Sequence, residues 1–203
     1  MLTAADTKYG SVIAGKIIKI KHGIKSAASR LTIVKLEDRS ENGVPTGKVI
    51  TVLFWNSNRE NGPKLSDRAR RHKPGDIISA RVVFDVGDPY KCTGFELKTE
   101  GIYHLTENNG KNAYVVCGKA SRIITGKNGY VCICIPVKRW LNNGQTDTHW
   151  YRAHFYNSPE IENIIHKGDY VAVRGDNVTE GSYERLNLTW KSITVTRYIY
   201  LST

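Results

Sequence analysis

Trp150-Tyr151-Arg152-Ala153-His154-Phe155-Tyr156, then Ser158-Pro159-Glu160-Ile161-Glu162-Asn163-Ile164-Ile165, then Lys167-Gly168-Asp169-Tyr170-Val171-Ala172-Val173-Arg174-Gly175, reads as strand, short helix, strand. The first piece alternates, so Tyr151, Ala153 and Phe155 form an interior row, because successive strand side chains point to opposite faces. In the second, Ser158 suits a helix cap, Pro159 the first helical position, and Ile161, Ile164 and Ile165 an apolar stripe. The third is a β-branched run opened by a Gly-Asp turn.

Working outward, the second half of the chain offers strands at 114–123, 130–140, 149–156, 170–175 and 185–195. Turns at Gly126-Lys127-Asn128-Gly129 and Asn142-Asn143-Gly144 separate them. The first half repeats the plan. Val12-Ile13-Ala14-Gly15-Lys16 is echoed by Val115-Val116-Cys117-Gly118-Lys119, and Phe54-Trp55-Asn56-Ser57 by Phe155-Tyr156-Asn157-Ser158. Lys73-Pro74-Gly75-Asp76-Ile77 returns as His166-Lys167-Gly168-Asp169-Tyr170, and Phe95-Glu96-Leu97 as Leu186-Asn187-Leu188. Landmarks in one order mark a duplication. The expected domains are 1–106 and 113–203, divided by the polar stretch 107–112, with a basic helix at 65–72 in the first. Five strands with a helix between the third and fourth is the element order of the OB-fold, a small Greek-key barrel. The fold class expected is therefore all-β, two tandem OB-fold barrels.

The 203 residues carry 30 Lys+Arg against 19 Asp+Glu, a net charge of +11, which favours a polyanionic partner. The first 105 residues hold +7 of it. No apolar run approaches the roughly 18 residues of a membrane span, and the opening Met1-Leu2-Thr3-Ala4-Ala5-Asp6 has no leader pattern. A soluble cytoplasmic protein is expected. Of the four cysteines, Cys92, Cys117, Cys132 and Cys134, none forms a Cys-x-x-Cys pair, so they read as small, semi-buried thiols without a metal. Nucleophile elbow, phosphate-cradling loop and His-Glu metal motif are all missing from the sequence, and a non-enzyme without cofactor is expected.

The open faces carry the candidate site. Opposite the interior row of 150–156 stand Trp150, Arg152, His154 and Tyr156. Rings stack on bases and cations meet phosphates, so such a face suits single-stranded nucleic acid. The preceding strand buries Val131, Ile133, Ile135 and Val137 and turns outward Tyr130, Cys132, Cys134, Pro136, Lys138 and Trp140, with Arg139 following. Tyr183 is expected in a flexible hairpin at 180–183, and Arg174 on the fourth strand joins the set. Trp190 shares the parity of Leu186 and Leu188, which predicts core packing. In the first half, Ile50, Val52 and Phe54 point inward, leaving Val49, Thr51, Leu53 and Trp55 outward, so Trp55 matches Tyr156. That apolar row also suits a protein–protein surface.

Thr148-His149-Trp150-Tyr151-Arg152, followed by Phe155-Tyr156, resembles the third strand of bacterial single-stranded DNA-binding proteins (SSB). Lys167-Gly168-Asp169-Tyr170-Val171-Ala172-Val173-Arg174-Gly175 is similar to their fourth strand, and Val115-Val116-Cys117-Gly118-Lys119 to their first. The resemblance spans 113–196, and 9–105 only through the duplication. It implies base-stacking roles for Trp140, Trp150 and Tyr156, with Tyr183 a fourth. It also implies coating of single-stranded DNA in replication, recombination, repair or transfer. The chain closes on Tyr198-Ile199-Tyr200-Leu201-Ser202-Thr203 without the family's acidic tail, which suits a phage or mobile element as well as a cell. Single-stranded RNA is the nearest rival ligand, and an adaptor role the rival of another class. A homodimer or a two-barrel monomer would each present several binding faces.

Overall fold

The computed structural model describes residues 11–23, 30–40, 43–57, 61–83, 89–106, 112–141, 143–184 and 188–201. The chain divides into two units, Met1–Thr99 and Glu100–Thr203. In the first, β1 (Ser11–His22), β2 (Leu31–Arg39), β3 (Pro45–Trp55), α1 (Leu65–Ala69), β4 (Ile77–Val83) and β5 (Tyr90–Lys98) follow in order. They form a closed barrel of order β1-β2-β3-β5-β4. Closure falls to β1, whose first half pairs with β4 and whose second half pairs with β2. The return of β5 beside β3 is parallel, as an OB-fold requires. Ile50, Val52 and Phe54 are buried as their alternation predicts, with Ile13, Ile17, Val34, Leu36, Ile78 and Val82 around them. Leu65 and Ala69 of α1 join the same core. Two buried hydroxyls tie the helix to β2: Thr32 Oγ1 donates to the Ser66 carbonyl at 3.1 Å and lies 2.8 Å from Ser66 Oγ.

The second unit repeats this circuit with one break. It contains β6 (Gly101–Thr106), β7 (Asn112–Lys119), β8 (Arg122–Thr125), β9 (Val131–Trp140), β10 (Thr146–Phe155), α2 (Glu160–Ile164), β11 (Tyr170–Tyr183) and β12 (Leu188–Leu201). The sheet order is β6-β7-β11-β12-β10-β9-β8. Here the expected strand 114–123 is split. β7 pairs with β11 and β8 with β9, the two roles that β1 performs alone. Ala120 and Ser121 join them, so the chain itself completes the barrel. Ser121 fixes the break by donating both its amide (2.9 Å) and its hydroxyl (3.0 Å) to the Cys134 carbonyl. Val131, Ile133, Ile135, Tyr151, Ala153 and Phe155 fill the interior, sealed by Ile161 and Ile165 from α2 and its end.

The duplication extends to individual hydrogen bonds. Gly75 and Gly168 adopt φ of +96° and +98°, a left-handed turn that glycine enters without steric cost. Their amides donate to the carbonyls of Ile17 and Ala120, each at 2.8 Å. Asp76 accepts the Lys73 amide at 3.0 Å, and Asp169 the His166 amide at 2.7 Å. Gly15 and Gly118 leave room for a crossing strand: a Cβ there would lie 3.0 Å from Leu36 Cβ and 2.8 Å from Ile135 Cγ2 respectively.

Several expectations change. Residues 101–106, inside the first domain as bounded from sequence, form a strand that pairs with β7 and belongs to the second unit. The expected linker 107–112 lies outside the described residues except for Asn112, which opens β7. Strands four and five are far longer than 170–175 and 185–195, because β11 and β12 continue as a hairpin ribbon past the barrel. Residues 180–183 are therefore strand, not a loose hairpin. Ser158 does not cap α2; its hydroxyl donates to the Tyr156 carbonyl at 3.1 Å, while its carbonyl accepts the Ile161 amide. The helix is shorter than its apolar stripe, since Ile165 already has extended backbone. Leu186 and Asn187 of the fourth repeat landmark lie outside the described residues. Among the described residues no helix is long and apolar enough to cross a membrane.

Candidate nucleic-acid interface

Strand register arranges the outer face of the second barrel in rungs. Trp150 lies beside Pro136 on one side and Trp190 on the other, and Trp190 faces Gly181. Two residues on, Arg152 lies beside Cys134 and Ser192, and Cys134 in turn beside Arg122. The third rung sets His154 beside Cys132 and Thr194. At a rise of about 3.3 Å per residue the rungs are roughly 7 Å apart. The face thus reads indole, guanidinium, imidazole and phenol along the strands.

The first rung holds two half-buried indoles flanked by residues without bulk. A Cβ on Gly181 would lie 2.5 Å from Trp190 Cε2, so the indole rests on bare backbone. The Arg152 guanidinium carbon sits 3.7 Å from the centroid of Trp190, a cation–π contact worth about 0.5–2 kcal/mol. At the other end Tyr130, His154 and Tyr156 cluster, with Tyr130–Tyr156 centroids 5.6 Å apart and the His154 and Tyr156 rings stacked at 6.4 Å. Tyr156 is 58 % exposed, leaving a ring face open to a base.

Electrostatics follows from the same neighbours. Burial, and then Arg152, hold His154 below the usual imidazole range, so it is neutral at pH 7. Burial above all pushes the Tyr130 phenol up to about 12, with Cys132 adding to the rise. The Tyr130 hydroxyl lies 2.7 Å from Nδ1 of this uncharged ring, within hydrogen-bond distance. Two hollows flank the indoles. One of about 530 Å³ is lined by Trp150, Trp190 and Gly181 together with Asp147 and Glu180. Those carboxylates are paired, Asp147 with His149 at 3.0 Å and Glu180 with Lys191 at 3.3 Å. The other, about 340 Å³, is lined by Arg122, Arg152, Cys134 and both indoles. Its charged lining is cationic only, and an anion is drawn to it.

The structure brings together Trp150, Arg152, His154 and Tyr156 of the expected site. Lys138 and Arg139 are exposed near the β9–β10 turn, beyond the first rung. Trp140 and Tyr183 lie on β9 and β11, but their side chains fall outside the described residues. Arg174 stands across from Val115 and Arg197, in none of the three rungs. Trp55 is 39 % exposed at the end of β3 in the first barrel, and Val49, six residues earlier on that strand, 43 %. Trp190 corrects its expectation: Ile193 is buried on the opposite parity, and Trp190 shares the outer face with Ser192 and Thr194. Sequence reading also missed Arg122, whose place depends on the strand break, and undervalued Tyr130, which the outward row already contained. Among the described residues no group of three or more His, Cys, Asp or Glu is placed to hold a metal ion.

No family model matches the chain, and no curated protein matches it. Among solved structures it is similar to the wild-type single-stranded DNA binding protein from Thermus aquaticus. The identity is 12 %, covering 95 % of this chain and 92 % of that one, with a TM-score of 0.29. A deletion variant of the same Thermus aquaticus protein is similar at 12 % identity, covering 96 % and 94 %, with a TM-score of 0.27.

Proposed function

We propose that the chain binds single-stranded DNA with little sequence preference, through the outer face of the second barrel, and shields it during replication, recombination or transfer. The observation that supports this reading is the succession of Trp150 and Trp190, then Arg122 and Arg152, then His154, Tyr130 and Tyr156 on one sheet face. Bases stack on the rings, and each ring contributes about 1–3 kcal/mol whatever the base. Phosphates meet the arginines, and counterion release makes that part of the affinity fall with salt. Lys138 and Arg139 extend the cationic path. Trp55 and the charge of the first half supply a second, more electrostatic contact region. The role is binding, without chemistry on the nucleic acid.

The experiment is a titration of oligo-dT, followed by tryptophan quenching, at two salt concentrations, with duplex as control and oligo-U as competitor. Saturable quenching by oligo-dT that duplex does not reproduce is expected. Replacing Trp150 and Tyr156 together by Ala should weaken binding by about 2–6 kcal/mol with the fold intact by circular dichroism. Unchanged affinity in that variant would overturn the assignment of this face. Preference for oligo-U would move the ligand to RNA.

A further inference from the structure

Cys134 stands between two arginines. β8 places Arg122 directly across from it, and β10 places Arg152 across on the other side. Directly opposed residues share a face, so both cationic side chains leave the sheet on the side of the thiol. Cys132, two residues earlier, lies on that face as well. Cys134 is only 7 % exposed, but it lines the hollow of about 340 Å³ that also contains Arg122, Arg152, Trp150 and Trp190. Cys92 belongs to the core of the first barrel, and Cys117 is wholly buried.

We propose that Cys134 is a thiol-modification site: it takes up small anionic disulfides, and the adduct fills the arginine-lined hollow and weakens nucleic-acid binding. The effect on binding rests on the function proposed above; the reactivity of the thiol does not. The groups facing Cys134 are Arg122 from β8, Arg152 from β10 and Cys132 on its own strand. Sharing the Cys132 S–H favours the thiolate most, and Arg152 and Arg122 add to this against the opposing effect of burial. Together they hold Cys134 below the usual thiol range. The same sharing pushes Cys132 up, leaving it a protonated donor. A thiolate, not a thiol, is the attacking species. The Cys134 sulfur attacks one sulfur of the disulfide, a new S–S bond forms as the old one breaks, and the departing thiolate takes a proton from water. The disulfide is itself the oxidant: Cys134 is oxidised and one half of the reagent leaves as the reduced thiol. The arginines select for an anionic reagent, because an adduct bearing carboxylates lies between two cations. Cys132 cannot expel the adduct by forming an internal disulfide. Residues two apart on one strand stand about 6.6 Å apart along it, and their Cβ atoms miss the roughly 3.8 Å that a disulfide needs. The adduct persists until an external thiol reverses it.

The test treats the full chain with oxidised glutathione and follows adduct formation by intact mass and peptide mapping. Affinity for labelled oligo-dT is measured before and after. One adduct per chain at Cys134 is expected, with a rate that levels off at a pH below the about 8.5 of an ordinary thiol. Affinity should drop about tenfold or more, the scale of one lost phosphate contact and one lost stacking partner, and dithiothreitol should restore it. Cys134→Ser should abolish the response, and Arg122→Gln should move the plateau to higher pH. An adduct forming no faster than on the urea-unfolded chain would overturn the site, and an adduct that leaves affinity unchanged would overturn the coupling. If the untreated protein binds no oligonucleotide, the nucleic-acid reading fails and the coupling with it, while mass and pH profile still decide the thiol.

Discussion

His154 shows how one side chain couples folding to pH. Burial and Arg152 lower its pKa below the 6.5 of the unfolded chain, so between those two values the unfolded state binds the extra proton. Stability therefore falls as pH drops from about 6.5 through the folded value. Urea unfolding of wild type and His154→Gln between pH 7.5 and 5 should show the wild type losing more stability on acidification; equal loss would separate His154 from the effect. At this scale much of the site was legible. Alternation alone assigned Trp150, Arg152, His154 and Tyr156 to one face, because each inward neighbour is unambiguously apolar. Trp190 failed by the same rule: the leucines before it suggested a core row, while Ser192 and Thr194 after it carried the correct parity. Arg122 was invisible because its partners are decided by register between strands, which no local pattern encodes.

Among the elements, the split of the opening strand of the second barrel sets most of the local geometry. β7 ends where Gly118 crosses β9, and the missing Cβ is what allows the crossing. Gly118→Ala would force its new methyl to within 2.8 Å of Ile135 Cγ2, an overpacking that costs about 1–3 kcal/mol. Ile135→Ala removes that methyl, so in the double variant the two losses should sum to less than their separate values. Strict additivity by urea denaturation would show that the contact is relieved in some other way. The helix between third and fourth strands was readable from Pro159 and its isoleucines. Its short length was not, because the left-handed turn at Gly168 and the pull of Ile165 into the core end it early. The long β11–β12 ribbon was likewise unreadable: Gly175 and Gly181 look like strand ends in sequence, yet here they accommodate Thr194 and Trp190 across the ladder.

At the scale of the whole chain, two cores with separate membership predict two folding units. A fragment of residues 100–203 should fold alone with a cooperative melt. A fragment starting at residue 107 should be markedly less stable, since it loses β6 and with it Tyr103, which is 1 % exposed. Equal melting of the two fragments would show β6 to be dispensable. The duplication made the number of barrels legible, and the polar stretch at 107–112 looked like the natural cut. What sequence could not reveal is that the strand before that stretch pairs forward with β7.

Arg152 on the ring of Trp190 has an effect on the energetics of occupancy. The protein itself covers this indole with a planar, delocalised cation, a flat group much like the one a base would offer. On the proposed function, a base docking there would exchange one stacked plane for another and free the guanidinium to follow a phosphate. Trp190 should accordingly give less net affinity than its area suggests, while the neighbouring Trp150 gives more.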